Sequence, residues 1–189
     1  NDGYEDLAVE MLGNHNPAGP FKGGKYSAFE AGTRVPTIVH WPNKIKPGET
    51  NALMSQVDIY ASLAQLLNVD IPSDVAIDSE EISKALVGES QLGRSSMIEE
   101  SYTLALRKDK WKYIMPLSED KKIPGWMSNK GVETGLSHEP HLYNLEMDVN
   151  ENVNVANDNP ALVLEMKAEL ETIINKAKIN NKVATTPGK

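Results

Sequence analysis

The sequence lacks cysteine entirely and is poor in phenylalanine, with two in 189 residues. Without cysteine, this chain can form no disulfide, no thiolate metal site and no cysteine nucleophile. With two phenylalanines, a core must rely on Leu, Ile, Val, Met, Tyr and Trp. The acceptor pattern for N-glycosylation, Asn-x-Ser or Asn-x-Thr, is also absent from the sequence.

Two further absences concern the membrane and the N-terminus. No run of about 18 apolar residues occurs, so we predict no transmembrane helix. Residues 1–6 are polar and acidic, which is unlike the apolar segment of a secretory signal peptide. Because the chain does not begin with methionine, we expect the natural N-terminus to lie upstream.

A basic excess is missing as well, since the formal net charge is −8. Nucleic-acid-binding proteins usually carry a basic patch, so this balance argues against a nucleic-acid partner. Hydrophobic residues make up 40% and charged residues 24% of the chain, values typical of a folded soluble protein. The length suits one domain or one lobe of a larger protein.

The first half of the chain combines turns with one predicted strand and two predicted helices. The apolar, β-branched residues 37–41 lie between two prolines and predict a strand covered on both faces, as in a parallel sheet. Residues 55–58 resemble a helix start, and apolar residues at helical spacing then predict a helix that ends near Asn68. Residues 79–86 predict a second, shorter helix.

The second half predicts an antiparallel meander and a closing helix. A tight hairpin is expected at Asp109-Lys110, and the long segment 116–140, rich in Pro and Gly, is expected to be functional or mobile. Asn159 before Pro160 is a strong helix start, and the apolar pattern continues to about Ala177. The predicted strands are 96–99, 103–107, 111–115 and 141–145.

These elements predict an α/β fold passing into α+β. Residues 1–92 are expected to form the end of a larger mixed α/β sheet domain. Residues 93–178 are expected to form a small C-terminal antiparallel sheet with its closing helix, and residues 179–189 a disordered tail. The core is predicted to include three aromatic residues, Trp41, Trp111 and Tyr113.

Residues 19–36, GPFKGGKYSAFEAGTRVP, resemble the signature of the sulfatase family: a glycine pair followed by lysine, then an aromatic–acidic pair, then Gly-x-Arg-Val-Pro. Further segments resemble that family's next strand, next helix and C-terminal sheet, in the same order along the chain. An ordered match of several segments is more specific than one motif. The chain therefore resembles the C-terminal part of a sulfatase, of the alkaline-phosphatase-like superfamily, over roughly residues 19–174.

The glycine pair Gly23-Gly24 lets the backbone approach a ligand closely or adopt a positive φ. Lys25 directly after it can present an ammonium group to an anion such as a sulfate ester. The resemblance implies that Lys25 is the active-site lysine that contacts the sulfate group; a surface lysine in a glycine-rich turn is the alternative. Lys22 is a weaker candidate for the same pocket.

Glu30 and Arg34 are four residues apart and can pair if that turn is helical. Gly32 between them weakens the helix prediction. We interpret the two as structural residues that orient the loop carrying Lys25.

The histidines supply the remaining candidates for substrate binding. His15 lies in the turn-rich loop close in sequence to the lysine, and His138 and His141 lie at the end of the long loop. Pro140 makes a helix unfavourable there, so the last two are not expected to share a zinc ion. The hypothesis is instead that they contact the sugar or aryl group of the substrate. His40, in the predicted buried strand, is expected to be a core histidine.

The resemblance also implies cofactors that this chain does not carry. Sulfatases of this type use a formylglycine made from Cys or Ser before x-Pro-x-Arg, and they bind one Ca²⁺ through Asp and Asn oxygens. No serine here begins Ser-x-Pro-x-Arg. Asn1-Asp2-Gly3 reverses the order of the family's Asp-Asn-Gly motif, so no metal ligand is assigned. We therefore predict that this chain alone does not hydrolyse sulfate esters.

The implied function is that of a sulfuric ester hydrolase acting on sulfated carbohydrate or aryl sulfate esters. Its implied partner is the missing N-terminal catalytic part, and its implied location is the periplasm or the cell exterior. Two alternatives remain open. One is a phosphoester or phosphonate hydrolase of the same superfamily, and the other is a non-catalytic module that binds sulfated glycans.

Overall fold

The computed structural model describes residues 13, 15–125, 127 and 133–184, with side chains of the last helix described up to Ala177. These residues form two compact units. The sheet unit contains the described residues up to Val35 together with those from Ile98 onward, and the helical unit is Pro36–Met97. This division differs from the boundary expected at residue 92, because the segment with the Gly-Gly-Lys sequence packs with the C-terminal sheet.

The fold is mixed α/β, and its sheet is a four-stranded antiparallel meander in the order β1-β2-β3-β4. The β2–β3 and β3–β4 pairs are antiparallel with no residue skipped. Lys108 pairs with Trp111 across a two-residue turn, and Asp109 in that turn has a φ of 50°. The predicted meander and hairpin are thus confirmed. The strands are β1 Ser96–Ser101, β2 Thr103–Lys108, β3 Trp111–Ile114 and β4 His141–Asn144.

The two faces of the sheet bury different partners, because side chains alternate along each strand. One face carries Leu106, Tyr113 and Leu142, which pack against Met166 and Leu170 of the C-terminal helix. The opposite face carries Ala105, Ile114 and Tyr143, which pack against Ala28 and Phe29 of the N-terminal segment. Tyr113 is a core residue, as the sequence predicts, whereas Trp111 is partly buried and packs against that core.

The C-terminal helix runs over Pro160–Ala184 and is the last of the four helices named here. Its start is as predicted: Asn159 precedes Pro160, and the Val163 amide donates to the Asn159 carbonyl at 3.1 Å. The helix continues beyond the position at which the sequence predicted a disordered tail to begin, as far as Ala184. Residues 185–189 lie outside the described residues. The named helices are α1 Glu30–Thr33, α2 Asp58–Leu66, α3 Ser83–Leu86 and α4 Pro160–Ala184.

The helical unit contains α2 and α3, which the sequence predicts. Ser55 donates its amide to Asp58 Oδ2 at 2.8 Å, so the start of α2 is held by the residue pair that suggested it. The buried face of α2 is nevertheless polar, formed by Asp58 and Ser62. Ser62 Oγ accepts the Ile82 amide at 3.1 Å, which ties α2 to the segment before α3.

The strand predicted over residues 37–41 is wrong for this structure. These residues are irregular and exposed, with Ile38 at 91% and Trp41 at 41% exposure. His40 is exposed as well, so neither His40 nor Trp41 is a core residue. The physical reason is that a strand needs hydrogen-bonded neighbours on its edges, and among the described residues no other strand pairs with this segment. Among those residues, no helix is long and apolar enough to span a bilayer.

Candidate functional site

The glycine–lysine turn is shaped by a close contact at Gly23 that leaves no room for a side chain there. Gly23 has a φ of 83°, and a Cβ there would collide with Ser27 Oγ. The Ser27 amide donates to the Gly24 carbonyl at 2.9 Å and closes the turn. At its tip Lys25 is exposed, with its Nζ 5.1 Å from the centroid of the Tyr26 ring. The turn therefore presents an ammonium group to solvent.

The segment after the turn is anchored in the sheet unit. Ser27 Oγ accepts the Phe29 amide at 3.1 Å and donates to the Glu133 carbonyl at 2.8 Å. The Ala28 amide donates to the Thr134 carbonyl at 2.8 Å. A Cβ at Gly32 would collide with the Ser27 carbonyl, so the backbone of α1 lies directly against the turn. The end of the long 116–140 loop thus borders the turn.

Glu30 and Arg34 form the predicted pair. Arg34 donates from Nη2 and Nε to Glu30 Oε2 at 2.7 and 3.0 Å, and its guanidinium carbon lies 4.4 Å from the Phe21 ring centroid. Glu30 is 2% exposed and opens α1. The interpretation of both residues as structural fits this geometry, and the one-turn helix tolerates Gly32.

A buried lysine binds the other oxygen of Glu30. Lys112 of β3 is fully buried on the sheet face that packs against the N-terminal segment. Its Nζ lies 3.0 Å from Glu30 Oε1, 2.8 Å from Glu99 Oε2 and 3.6 Å from Glu151 Oε1. Arg107 adds a second cation 3.8 Å from Glu30. We call these five residues the Lys112 cluster: Lys112, Glu30, Glu99, Glu151 and Arg107.

Electrostatics keep the pair at the centre of this cluster ionised. Burial by itself would raise the pKa of Glu30, but Lys112, Arg34 and Arg107 outweigh it and hold that pKa below its ordinary value. Burial would lower the pKa of Lys112, but the carboxylates of Glu99, Glu30 and Glu151 hold it above its ordinary value. Both groups therefore carry their charge at neutral pH.

Glu151 behaves differently within the same cluster. Burial and the nearby charges of Glu30 and Glu99 raise its pKa to about 7, against the opposing effect of Lys112 and an amide hydrogen bond. Among the described residues, no group donates a hydrogen bond to its Oε1. The Glu30 amide donates to its other oxygen, Oε2, at 2.7 Å. Glu151 thus acts mainly as an acceptor for the first amide of α1.

Two of the predicted substrate-binding residues, Lys22 and His141, lie against the Phe29 ring. Lys22 Nζ lies 4.8 Å from the Phe29 ring centroid, and the His141 ring stacks on Phe29 with centroids 6.4 Å apart. His141 Nδ1 is 3.3 Å from the Tyr143 hydroxyl. Burial, followed by the charge of Lys22, lowers the pKa of His141. The histidine is therefore neutral at pH 7 and can offer a hydrogen bond to an uncharged group.

Comparisons with known proteins point to one family. The sequence model of the family described as Sulfatase matches residues 3–69. An N-acetylgalactosamine-6-O-sulfatase of Bacteroides thetaiotaomicron is 45% identical over 175 residues, which is 92% of this chain and 34% of that protein. The chain belongs to the sulfatase family.

Other sulfatases and a solved structure agree. Human arylsulfatase A is 29% identical over 148 residues, covering 73% of this chain and 29% of that protein. A solved structure described in connection with the metabolism of multiple glycosaminoglycans by Bacteroides thetaiotaomicron is 44% identical, with a TM-score of 0.82. That match covers 90% of this chain and 35% of the solved one. This sulfatase chain thus spans about a third of the length of the relatives it matches.

The other predicted site residues are more scattered over this sulfatase chain. His15 is exposed beside the turn at residues 16–20. His138 is also exposed, and its Nδ1 lies 3.3 Å from the Leu117 carbonyl oxygen. Trp126 and Lys130 of the long loop lie outside the described residues. Substrate binding by these histidines stays a prediction.

Sequence reasoning missed the Lys112 cluster. Lys112 and Glu151 fall in segments that resemble sulfatases, but no role followed from the sequence for either residue. One signal was available: a lysine between Trp111 and Tyr113, inside an apolar strand, has to be paired if it is buried. Its partners Glu30 and Glu99 are remote in sequence, so only the tertiary structure identifies them.

The described part of this sulfatase chain does not fit the family's calcium site. Among the described residues, no group of three or more His, Asp or Glu side chains is arranged to hold a metal ion. The three carboxylates that do converge already surround the Lys112 ammonium. These carboxylates therefore neutralise a lysine and do not form a calcium site.

Proposed function

We propose that this chain is the C-terminal part of a sulfuric ester hydrolase and that Lys25 binds the sulfate group of its substrate. The substrates in this proposal are sulfated carbohydrates, with aryl sulfates as the simpler analogues. The N-acetylgalactosamine-6-O-sulfatase that resembles this chain supports a sulfated sugar. The family resemblance also supports a periplasmic or extracellular location.

The observation that carries the proposal is the geometry of the glycine–lysine turn. Gly23 adopts a backbone conformation that favours glycine, and Gly32 packs where no side chain fits, so the turn has a defined shape. Lys25 extends from it into solvent while Glu30, at its base, is held by Lys112 and Arg34. An ammonium presented by a turn of defined shape can bind a sulfate oxygen and stabilise charge that develops on the departing alcohol oxygen.

Lys22 and His141 are proposed to contact the part of the substrate beyond the sulfate. Both lie against the Phe29 ring, on the same side of the sheet as the turn. Lys22 also pairs with Glu133 at 3.5 Å, so part of its charge is already compensated. The neutral His141 ring suits a sugar hydroxyl better than it suits the sulfate itself.

The nucleophile and the calcium ion belong, in this proposal, to an N-terminal catalytic part of the whole protein. A formylglycine would supply the nucleophile there, and this chain contributes no residue to it. The exposed apolar residues of the helical unit support the existence of such a part, because exposed apolar side chains in large number often mark a contact surface. They include Ile38, Tyr60, Leu63, Leu67 and Val69, each at least 46% exposed.

The test is hydrolysis of a sulfated N-acetylgalactosamine and of 4-nitrophenyl sulfate by the full-length protein. We expect Lys25→Ala to lower kcat/KM by about 10²-fold or more, the usual cost of removing a group that stabilises transition-state charge. Lys176→Ala is the matched control, since Lys176 is an exposed lysine on α4. The control is expected to change kcat/KM by less than about twofold.

The other outcomes separate the alternatives. Hydrolysis of 4-nitrophenyl phosphate with no hydrolysis of either sulfate would overturn the proposal in favour of a phosphoester hydrolase. Binding of sulfated glycan by a full-length protein with no turnover would support a binding module instead. Full activity of the Lys25→Ala variant would remove Lys25 from the site while leaving the reaction class intact.

A further inference from the structure

We infer that Glu151, more than a hundred residues after the glycine–lysine turn, is the positioning residue that ties both ends of that turn to the sheet unit. The inference rests on the proposed function, because the turn matters for catalysis only if Lys25 binds sulfate. Glu151 itself touches no substrate in this scheme. It acts through Lys22 and Glu30, which bracket the turn in sequence.

The backbone of Glu151 is the first observation. Its φ is 52°, in the left-handed region that glycine adopts at no steric cost. Most other non-glycine residues with positive φ lie where a side chain reaches solvent, as Asn68 and Asp109 do. Glu151 instead combines this conformation with complete burial of its side chain. A glutamate thus occupies a position where glycine would fit the backbone better, and its buried carboxylate points to a role for that group.

The hydrogen bonds of Glu151 identify that role. Its side-chain Oε2 accepts the Glu30 amide at 2.7 Å, and its backbone carbonyl accepts from Lys22 Nζ at 3.4 Å. The Ala31 amide donates to the Lys22 carbonyl at 3.0 Å. This bond closes the segment from Lys22 to Ala31 into a loop. Glu151 therefore holds the base of this loop, whose tip carries Lys25.

The segment that holds Glu151 is itself fixed. The Glu151 amide donates to the Asp148 carbonyl at 3.1 Å, and Asp148 Oδ2 accepts the Val153 amide at 2.8 Å. These bonds form a turn that follows β4, so the position of Glu151 is set by the sheet. Lys112, 3.6 Å from Glu151 Oε1, faces the carboxylate from β3.

The hydrogen bond from the Glu30 amide to residue 151 requires a long side chain with an acceptor oxygen, and it does not require a negative charge. The Glu30 amide needs an acceptor oxygen at the end of a side chain as long as glutamate. Glutamine keeps both the length and an acceptor oxygen, whereas aspartate keeps the charge and is one methylene shorter. Glu151→Gln is therefore expected to preserve the tie, and Glu151→Asp to break it.

The experiment compares Glu151→Gln, Glu151→Asp and Asp109→Gly in the full-length protein. Asp109 is the matched control, an exposed acidic residue with a φ of 50° in the β2–β3 turn. With a sulfated sugar as substrate, Glu151→Asp is expected to lower kcat/KM about tenfold or more, because small displacements of a binding group are costly. Glu151→Gln is expected to stay within about threefold of wild type, and Asp109→Gly within about twofold.

A second readout does not depend on activity. Hydrogen exchange at the Glu30 amide, measured on the folded variants, is expected to accelerate in Glu151→Asp and to remain protected in Glu151→Gln. The inference is overturned if Glu151→Asp keeps both the activity and the Glu30 protection, or if Glu151→Gln loses both. A wild-type protein that hydrolyses no sulfate ester would remove the proposed function, while Glu30 protection would still decide whether Glu151 holds the turn.

Discussion

The sheet unit and the helical unit each bury a carboxylate against a cation, but their apolar residues are arranged in opposite ways. In the sheet unit, Glu30 and Lys112 pair on the sheet face that also carries the apolar cluster with Ala28 and Phe29, and a second apolar cluster covers the opposite face. In the helical unit, Asp58 is fully buried and accepts from Arg94 Nε at 2.8 Å and from the Glu80 amide at 2.9 Å. Around Asp58, however, most large apolar side chains are exposed.

Helix α2 shows this contrast in one element. Asp58 and Ser62 are buried, whereas Tyr60, Leu63 and the following Leu67 are 53%, 46% and 69% exposed. Hydrogen bonds from residues 79–82 hold the polar face, and the apolar stripe is left facing outward. Helical periodicity thus identifies a stripe suited to burial, but burial occurs only where another element covers it.

The largest expected effect would come from removing the buried ammonium of the sheet unit. Lys112→Met leaves Glu30, Glu99 and Glu151 facing one another without compensation, and is expected to cost about 3–5 kcal/mol of unfolding free energy. Lys108→Met is the matched control on the other face of the same sheet, where Lys108 pairs with Glu165 and Glu169 near the surface. The control is expected to cost about 0–1 kcal/mol in urea unfolding. Equal costs would mean that burial of the Lys112 cluster does not distinguish it from a surface pair.

A pH dependence of intermediate size is expected from Glu151. Its pKa in the folded protein, about 7, is higher than the 4.5 ordinary for glutamate, so protonation favours the folded state. The stability that this proton contributes is complete below about pH 4.5 and is lost as the pH rises through 7. The slope contributed by this one group is at most about 1.4 kcal/mol per pH unit.

Urea unfolding of wild type and Glu151→Gln between pH 5 and pH 8 would measure this dependence (both pH values being chosen to bracket a pKa of about 7). Wild type is expected to lose stability relative to Glu151→Gln as the pH rises, because glutamine does not titrate. A gain of wild-type stability over the same range would show that the carboxylate form of Glu151 is the favoured one. The Lys112 cluster would then be held together more strongly by charge than the structure indicates.

The smallest effect is expected on the exposed stripe of α2. In this chain Leu63→Ser is expected to change the unfolding free energy by less than about 0.5 kcal/mol, since Leu63 is 46% exposed. Leu106→Ala in the buried face of the sheet, where Leu106 is fully buried, is expected to cost about 2–5 kcal/mol. Thermal unfolding of both variants would check the difference. Similar losses in both would show that Leu63 is covered and would remove the contrast between the units.

Much of the fold could be predicted because the relevant signals are local. Asp109 and Lys110 are two polar residues between two apolar segments, as in a two-residue hairpin. Asn159-Pro160 is the residue pair of a helix start. The strand over residues 37–41 was predicted by equally local signals and was wrong for this structure. A strand needs neighbours that donate and accept hydrogen bonds, and local sequence does not specify them.

The candidate site divides in the same way. The resemblance of residues 19–36 to the sulfatase signature indicated Lys25 and the structural pair of Glu30 with Arg34. The glycine requirement at Gly23 also follows from the sequence, since a positive φ is a property of one residue. Lys112 and Glu151 could not be assigned, because a buried charge is explained only by partners that lie elsewhere in the chain.

By itself, the sequence determined the family, the meander with its closing helix, and the lysine at the tip of a glycine turn. These depend on short-range chemistry: turn residues, side-chain periodicity and an ordered set of motifs. Only the tertiary structure decided that Glu30, Glu99 and Glu151 surround Lys112, and that the apolar stripe of α2 faces outward. Burial and charge compensation depend on distances between residues remote in sequence, and those distances exist only once the chain is folded.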